Sequence, residues 1–216
     1  LRGDFFTQKK TGKRNILPNG ITPPIDTDLY VSGEFKLFSH QILELGSPPN
    51  WFIDDNSFFS KTKNNHWSEI PDFNSGEDIK NIWEVSRFLW AVKFAQSYII
   101  TGDKFYLDSL NEWLSDWSEN NPINQGPNWK CGQETSFRLI YLLLTIFFLK
   151  EKADAQPILE KMINEHCLRI FSTKEYAQAQ NNNHSVSEAA GMYLGSSYLI
   201  KNGNSDNKII KINQHS

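Results

Sequence analysis

Cysteine is scarce in this chain of 216 residues: Cys131 and Cys167 both fall in predicted helices and show no metal-ligand spacing. A disulfide framework and a zinc site are therefore not expected, and no cofactor is implied. Long apolar runs are missing as well. The strongest, Leu139 to Leu149 in "LIYLLLTIFFL", covers about half of the ~20 residues that a membrane span needs and reads as a buried helix. Nor does charge of one sign dominate. The 22 basic and 25 acidic residues are mixed along the chain and leave a net charge of −3, so no basic stripe points to nucleic acid. The opening "LRGDFFTQKK" has neither an initiator methionine nor an apolar signal core, and the chain is expected to be a mature form or a fragment.

What is present is apolar and aromatic: 39% hydrophobic residues, 13% of all residues aromatic, enough for one sizeable core in one or two domains. From Asn15 to Pro49 the turn formers "LPNG", "TPP" and "SPP" interrupt the chain, and the polar, irregular character continues to about residue 74. Residues 1–74 are read as an irregular arm packing on a helical unit, residues 75–216.

Helical periodicity starts near Glu77. A first helix is predicted over about 76–101, with Ser75 and Asp78 as a capping box and Gly102 as its stop. A second is predicted over about 103–118 and, after so short a loop, packs antiparallel to the first. The third, about 132–150, is apolar nearly all round, and the fourth covers about 154–171. For the fifth, Ser185 and Glu188 in "NNNHSVSEAA" form a second capping-box pattern, with Val186, Ala189, Ala190, Tyr193, Leu194 and Ile200 as the buried face. No β-rich region is visible. The expectation is an all-α fold of stacked antiparallel helical hairpins.

The longer loops follow the second and fourth helices and should emerge at one end. That would gather Asn128, Trp129, Gln133, Glu134, Asn183 and His184 on one rim, where rings and amides suit a sugar. With Ser185 as N-cap, Asn183 and His184 would lie just outside the first turn, where free N–H groups and the helix dipole favour a carboxylate. The imidazole could also move a proton. Asparagines before a helix equally serve as plain caps.

"PNWKCGQETSFRL", followed about fifty residues later by "NNNHSVSEAAGMYLG" and preceded by "IWEVSRFLWAV", resembles the helical domain of the heparinase II/III family of polysaccharide lyases. The resemblance covers roughly residues 35–203. It implies an incomplete (α/α) toroid, followed in that family by a β-sandwich domain that packs on it and is absent from this chain. It also implies cleavage of an acidic, uronate-containing glycan, such as a glycosaminoglycan or alginate, by β-elimination. By the same resemblance the protein would be bacterial and periplasmic or extracellular. Asn183 matches the family's carboxylate-neutralising asparagine, and His184 the neighbouring histidine that assists or acts as base. The family's tyrosine acid would fall beyond Ser216, so the chain alone is expected to be nearly inactive; Tyr193, in a predicted buried stripe, is a poor substitute.

Asn182, Trp129, Gln133, Glu134, Arg87, Arg138 and Glu84 are the candidate substrate contacts. Trp129 could stack on a sugar or anchor its loop, while Arg87, Glu84 and Arg138 fit interhelical salt bridges as well as substrate contacts. Two other function classes stay open. One is a glycoside hydrolase with Glu84 and Glu134 as its carboxylate pair. The other is a non-catalytic glycan-binding or assembly module.

Overall fold

A computed structural model describes residues 1–9, 25–74, 76–150 and 153–216. Among these the chain is predominantly α-helical, as its periodicity requires. The order is β1 (Phe6–Gln8), α1 (Ile25–Ser32), β2 (Glu34–Leu37), β3 (Gln41–Glu44), α2 (Phe58–Lys61), β4 (Phe73–Asn74), β5 (Glu77–Asp78), α3 (Ile79–Ser86), α4 (Leu89–Thr101), α5 (Lys104–Asn120), α6 (Gly132–Leu149), β6 (Ala153–Ala155), α7 (Pro157–Phe171), α8 (Lys174–Ala179), α9 (Asn183–Lys201) and α10 (Asn207–Gln214). The strands form three two-stranded antiparallel pairs, β1–β6, β2–β3 and β4–β5.

The long helices pair as hairpins, α4 with α5, α6 with α7 and α9 with α10, and stack through the contacts of α4 with α6 and of α6 with α9. Gly102 ends α4 in the left-handed conformation with its N–H on Tyr98 O, as predicted for a glycine stop. Asp103 caps α5.

The expected first helix is two helices. Phe88, at φ 66°, breaks it between α3 and α4 and turns a fully buried ring onto Trp90 and Trp117. A bulky residue pays strain in that region, and here the core contacts of the ring offset it. Ser75, the predicted cap, lies outside the described residues; Asp78, its proposed partner, is itself the N-cap, accepting from Lys80 N. The predicted start of the fourth helix is also corrected. Ala153–Ala155 is strand β6, which pairs with β1, and Asn111 of α5 fixes β1 by accepting from the N–H groups of Phe5 and Phe6 and donating to Phe6 O.

Part of the arm, residues 10–24, lies outside the described residues. The rest does not form a separate layer. Phe5, Phe35, Trp51 and Phe59 join Trp90, Phe94, Trp113 and Trp117 in one continuous apolar cluster. Burial of these large rings is the main stabilising contribution of the fold, each worth roughly 2–3 kcal/mol of transfer free energy.

The fifth helix buries a face other than the predicted one. Gly191 meets Ser136 of α6 and Gly195 meets Leu139 of α6 and Cys167 of α7, while Val186 is 72% and Tyr193 55% exposed. At Gly195 an added Cβ would stand 2.6 Å from Cys167 Sγ and 2.8 Å from Leu139 Cδ2. The close approach of the helices requires small residues, and Val186, Tyr193, Leu194 and Ile200 are left outside, whereas Met192 and Leu199 share the buried face. Among the described residues no helix is long and apolar enough to cross a membrane.

Candidate active-site cleft

A cleft of about 750 Å³ opens where α3, the β4–β5 hairpin, α8 and the N-termini of α6 and α9 converge. Its position follows from local sequence. Gly126, Pro127 and Trp129 form a short 3₁₀ turn that feeds α6, and Trp83 of α3 donates its indole N–H to Pro127 O at 2.9 Å. Below the cleft Arg169 of α7 donates to the carbonyls of Trp129 and Lys130, each at 2.7 Å. Its guanidinium lies 3.8 Å from the centroid of Trp67, one of the aromatic walls. Phe73 and Tyr176 add exposed rings at the mouth.

The NNN stretch divides its work at three consecutive positions. Asn181 takes the left-handed turn at φ 47°, Asn182 is the N-cap whose Oδ1 accepts from His184 N at 2.9 Å, and Asn183 is the first residue of α9. This corrects the expected frame: Ser185 is inside the helix, and Glu188 is no capping residue. His184 lines the cleft, whereas Asn182 and Asn183 are exposed outside its lining. One turn after His184, Glu188 points into the same cleft with Oε1 3.8 Å from His184 Nδ1.

Glu188 is 4% exposed, and its Oε2 has no hydrogen-bond partner. The carboxyl sits against Gly132, where a Cβ would come within 2.6 Å of it. Burial pushes its pKa up from the ordinary 4.5 to about 7, against the opposing pull of Arg169. Such a carboxyl can exchange a proton near neutral pH.

Gln133 and Glu134 open α6 at the cleft, as predicted. Gln133 donates to Ser187 Oγ at 3.0 Å and ties the two helix starts together. Glu134 takes a bidentate grip from Arg87 at 2.7 and 2.8 Å, and Glu84 binds the remaining Arg87 nitrogen. The hydrogen bond to Glu134 raises the Arg87 pKa above its ordinary value despite burial. The salt bridge between neighbouring helices anticipated for Arg87 runs to Glu134 of α6, while Glu84 pairs with Arg87 within the end of α3 itself; Arg87 and Glu134 also line the cleft.

Asn128, Trp129 and Arg138 leave the expected rim. All three are core residues, and Trp129 is 1% exposed. Arg138 donates to Asn128 O at 2.6 Å and to Thr135 Oγ1 at 3.0 Å, and it lies 5.2 and 5.4 Å from the ring centroids of Trp117 and Trp129. Its Nε donates to His166 Nε2, while His166 Nδ1 donates to Met162 O, so both ring nitrogens of a neutral imidazole are used. Burial first, and Arg138 second, push the His166 pKa down to about 3. Trp129 thus anchors its loop in the core, and its edge faces a separate cavity of about 310 Å³ shared with Trp117 and His166.

Sequence reasoning missed Trp67, Trp83, Lys130 and Tyr176 as cleft residues, and it read Glu188 only as a cap. The signal for Glu188 was its spacing: His184 and Glu188 are four apart and share one helix face. Comparison of the chain with protein-family profiles, with curated proteins and with solved structures gives no match.

Proposed function

We propose that the cleft binds an acidic, uronate-containing glycan and that the protein is a polysaccharide lyase of the heparinase II/III kind, built on an incomplete (α/α) toroid. The observation that carries this reading is the His184–Glu188 pair at the floor of an aromatic-walled cleft. Rings supply stacking surface for sugar faces, and Gln133, Lys130 and His184 supply donors for hydroxyl and carboxylate oxygens.

β-Elimination needs a group that makes the proton at C5 removable. Donors on the uronate carboxylate do so by stabilising the enolate-like transition state. His184 then accepts the C5 proton, the C–H electrons form the C4–C5 double bond, and the C4–O bond breaks. The departing oxygen takes a proton from an acid; in place of the tyrosine expected beyond Ser216, Tyr176 is the one phenol among the described cleft residues, and with it elimination by this chain itself is expected.

The hydrolase alternative is poorly supported. A hydrolase requires one carboxyl free to give a proton to the leaving oxygen, whereas Glu84 and Glu134 are both held by the Arg87 guanidinium. The test is incubation of the protein with a panel of acidic polysaccharides while following the ultraviolet absorbance of an unsaturated product. Elimination that is lost in His184→Ala is expected; binding without turnover, or turnover indifferent to His184, sinks the assignment.

A further inference from the structure

Arg169 is a buried cation that the elimination chemistry leaves unused. It sits in the last turn of α7 and is 2% exposed, and burial lowers its pKa only to about 10, so it stays charged at neutral pH. Each of its three guanidinium nitrogens reaches a different acceptor. Nε donates to Trp129 O and Nη2 to Lys130 O, each at 2.7 Å, and Nη1 donates to Thr173 Oγ1 at 3.0 Å. The flat face of the group is occupied as well, with the Trp67 ring centroid 3.8 Å away.

These contacts lead to different walls of the cleft. Trp67 and Lys130 line it directly, and Lys130 in turn donates to Ile70 O and lies 3.6 Å from Asp72, so the chain entering the β4–β5 hairpin is tied to the same turn. Thr173 precedes α8, the six-residue helix that carries Tyr176, and its hydroxyl makes no capping bond to that helix but accepts from Arg169. So short a helix without a side-chain cap has little stability of its own, and its start is placed by α7. Arg138, also a buried arginine, is the contrast: its partners Asn128, Thr135 and His166 all lie outside the cleft lining.

We propose that Arg169 is a positioning residue of the cleft: its planar fork holds the Trp67 wall, the Lys130 turn and the start of α8 in one arrangement, and so sets Trp67 for sugar stacking and Tyr176 for proton donation. For its effect on turnover the inference rests on the reading of the cleft as a uronate-glycan lyase site, whereas the arrangement of Trp67 and α8 can be read with no ligand present. A lysine keeps the charge but offers one nitrogen and no plane, so it cannot serve three divergent acceptors and a ring face together. The branches are separable. Loss of the Trp67 contact should weaken binding, and loss of the Thr173 contact should slow proton donation.

The experiment labels the full chain with 5-fluorotryptophan and follows fluorine-19 NMR without ligand, the Trp67 resonance being identified by its loss in Trp67→Phe. Arg169→Lys should shift or broaden that resonance while Trp51, Trp90 and Trp113, which pack on one another in the core, keep theirs. Thr173→Val, which leaves the guanidinium in place, keeps the question answerable if Arg169→Lys does not fold: it should speed amide hydrogen exchange across α8, and Thr173→Ser, which retains the hydroxyl, should exchange like the parent. Turnover is then measured on whichever of alginate, polygalacturonate and hyaluronan the parent degrades fastest. Trp67→Leu should raise KM about fivefold with little change in kcat, Thr173→Val should lower kcat about tenfold with little change in KM, and Arg169→Lys should do both. Asn111→Ala, whose partners Phe5 and Phe6 lie outside the cleft lining, controls for destabilisation alone and should leave both constants unchanged. A Trp67 resonance unmoved in Arg169→Lys, α8 exchange unchanged in Thr173→Val, parent-like constants in Arg169→Lys, or the same losses in Asn111→Ala each overturn the proposal. If the parent shows no elimination, the lyase reading fails and the ligand-free data decide this one: Trp67 and α8 both displaced uphold it. Elimination by the parent with Trp67 and α8 undisturbed in the variants does the reverse.

Discussion

The substitution Glu188→Gln should stabilise the protein at alkaline pH and leave it nearly unchanged in acid. In the unfolded chain Glu188 titrates near 4.5, and in the folded one near 7. Between these values the folded state holds the proton that the unfolded state has released, so stability falls as pH rises through the interval. At pH 8 both states are ionised, and the folded one carries the full cost of a carboxylate with an unpartnered buried oxygen. A shift from 4.5 to about 7 corresponds to about 3 kcal/mol of stability lost between acid and alkali.

Glutamine has the same shape and no charge to bury. The variant should therefore exceed the parent by about 3 kcal/mol at pH 8, by less than half of that at pH 5.5, and by about zero at pH 4. Urea denaturation of both proteins at the three pH values checks this, and thermal melts at pH 8 should separate by roughly 6–12 °C for a chain of this length. A difference that does not change with pH would refute the argument, because it would mean that Glu188 is not desolvated in the folded state.

His166 acts in the opposite direction. It is neutral in the core with a pKa near 3, so the stability that depends on it is complete above pH 6.5 and is lost as pH falls toward 3; His166→Gln should flatten this acid limb of the stability profile while costing about 1–3 kcal/mol at neutral pH through the partner it removes from Arg138. Gly195→Ala should destabilise by about 1–3 kcal/mol, read by urea denaturation, because its Cβ overlaps Cys167 and Leu139 and neither packed helix can withdraw. Arg87→Met should cost about 2 kcal/mol and weaken acidic-glycan binding, since it leaves the buried Glu134 unpaired at the cleft; the double variant with Glu134→Gln should recover most of the stability in a double-mutant cycle.

The helical architecture was legible because periodicity reports which residues can share a face, and Gly102 and Asp103 mark a helix end and start by local chemistry alone. Three features were not. Phe88 looks like any apolar helix residue, and only the ring contacts available to it in the assembled core reveal why the chain turns there. The face of α9 was misread because hydrophobicity identifies large residues as buried, whereas the helix approaches α6 so closely that glycine is needed. The site itself was partly legible. His184, Gln133 and Glu134 come together as loop lengths suggested, but Asn183 stays outside the cleft lining, and Asn128, Trp129 and Arg138 turn inward, where a planar cation lies between two indoles. A frame shift of three residues at the NNN stretch exchanged the roles of cap and site. Asn182 takes the cap, which releases Glu188 into the cleft.

The reaction proposed for this cleft is elimination on a uronate glycan. Its most direct test is the mass of the shortest products after digestion of an acidic polysaccharide by the protein, with His184→Ala as the control. New fragments are expected whose non-reducing sugar is one water lighter than a hydrolytic product, and they should be lost in the variant. Fragments carrying the added water, or lighter fragments formed equally well without His184, would contradict it.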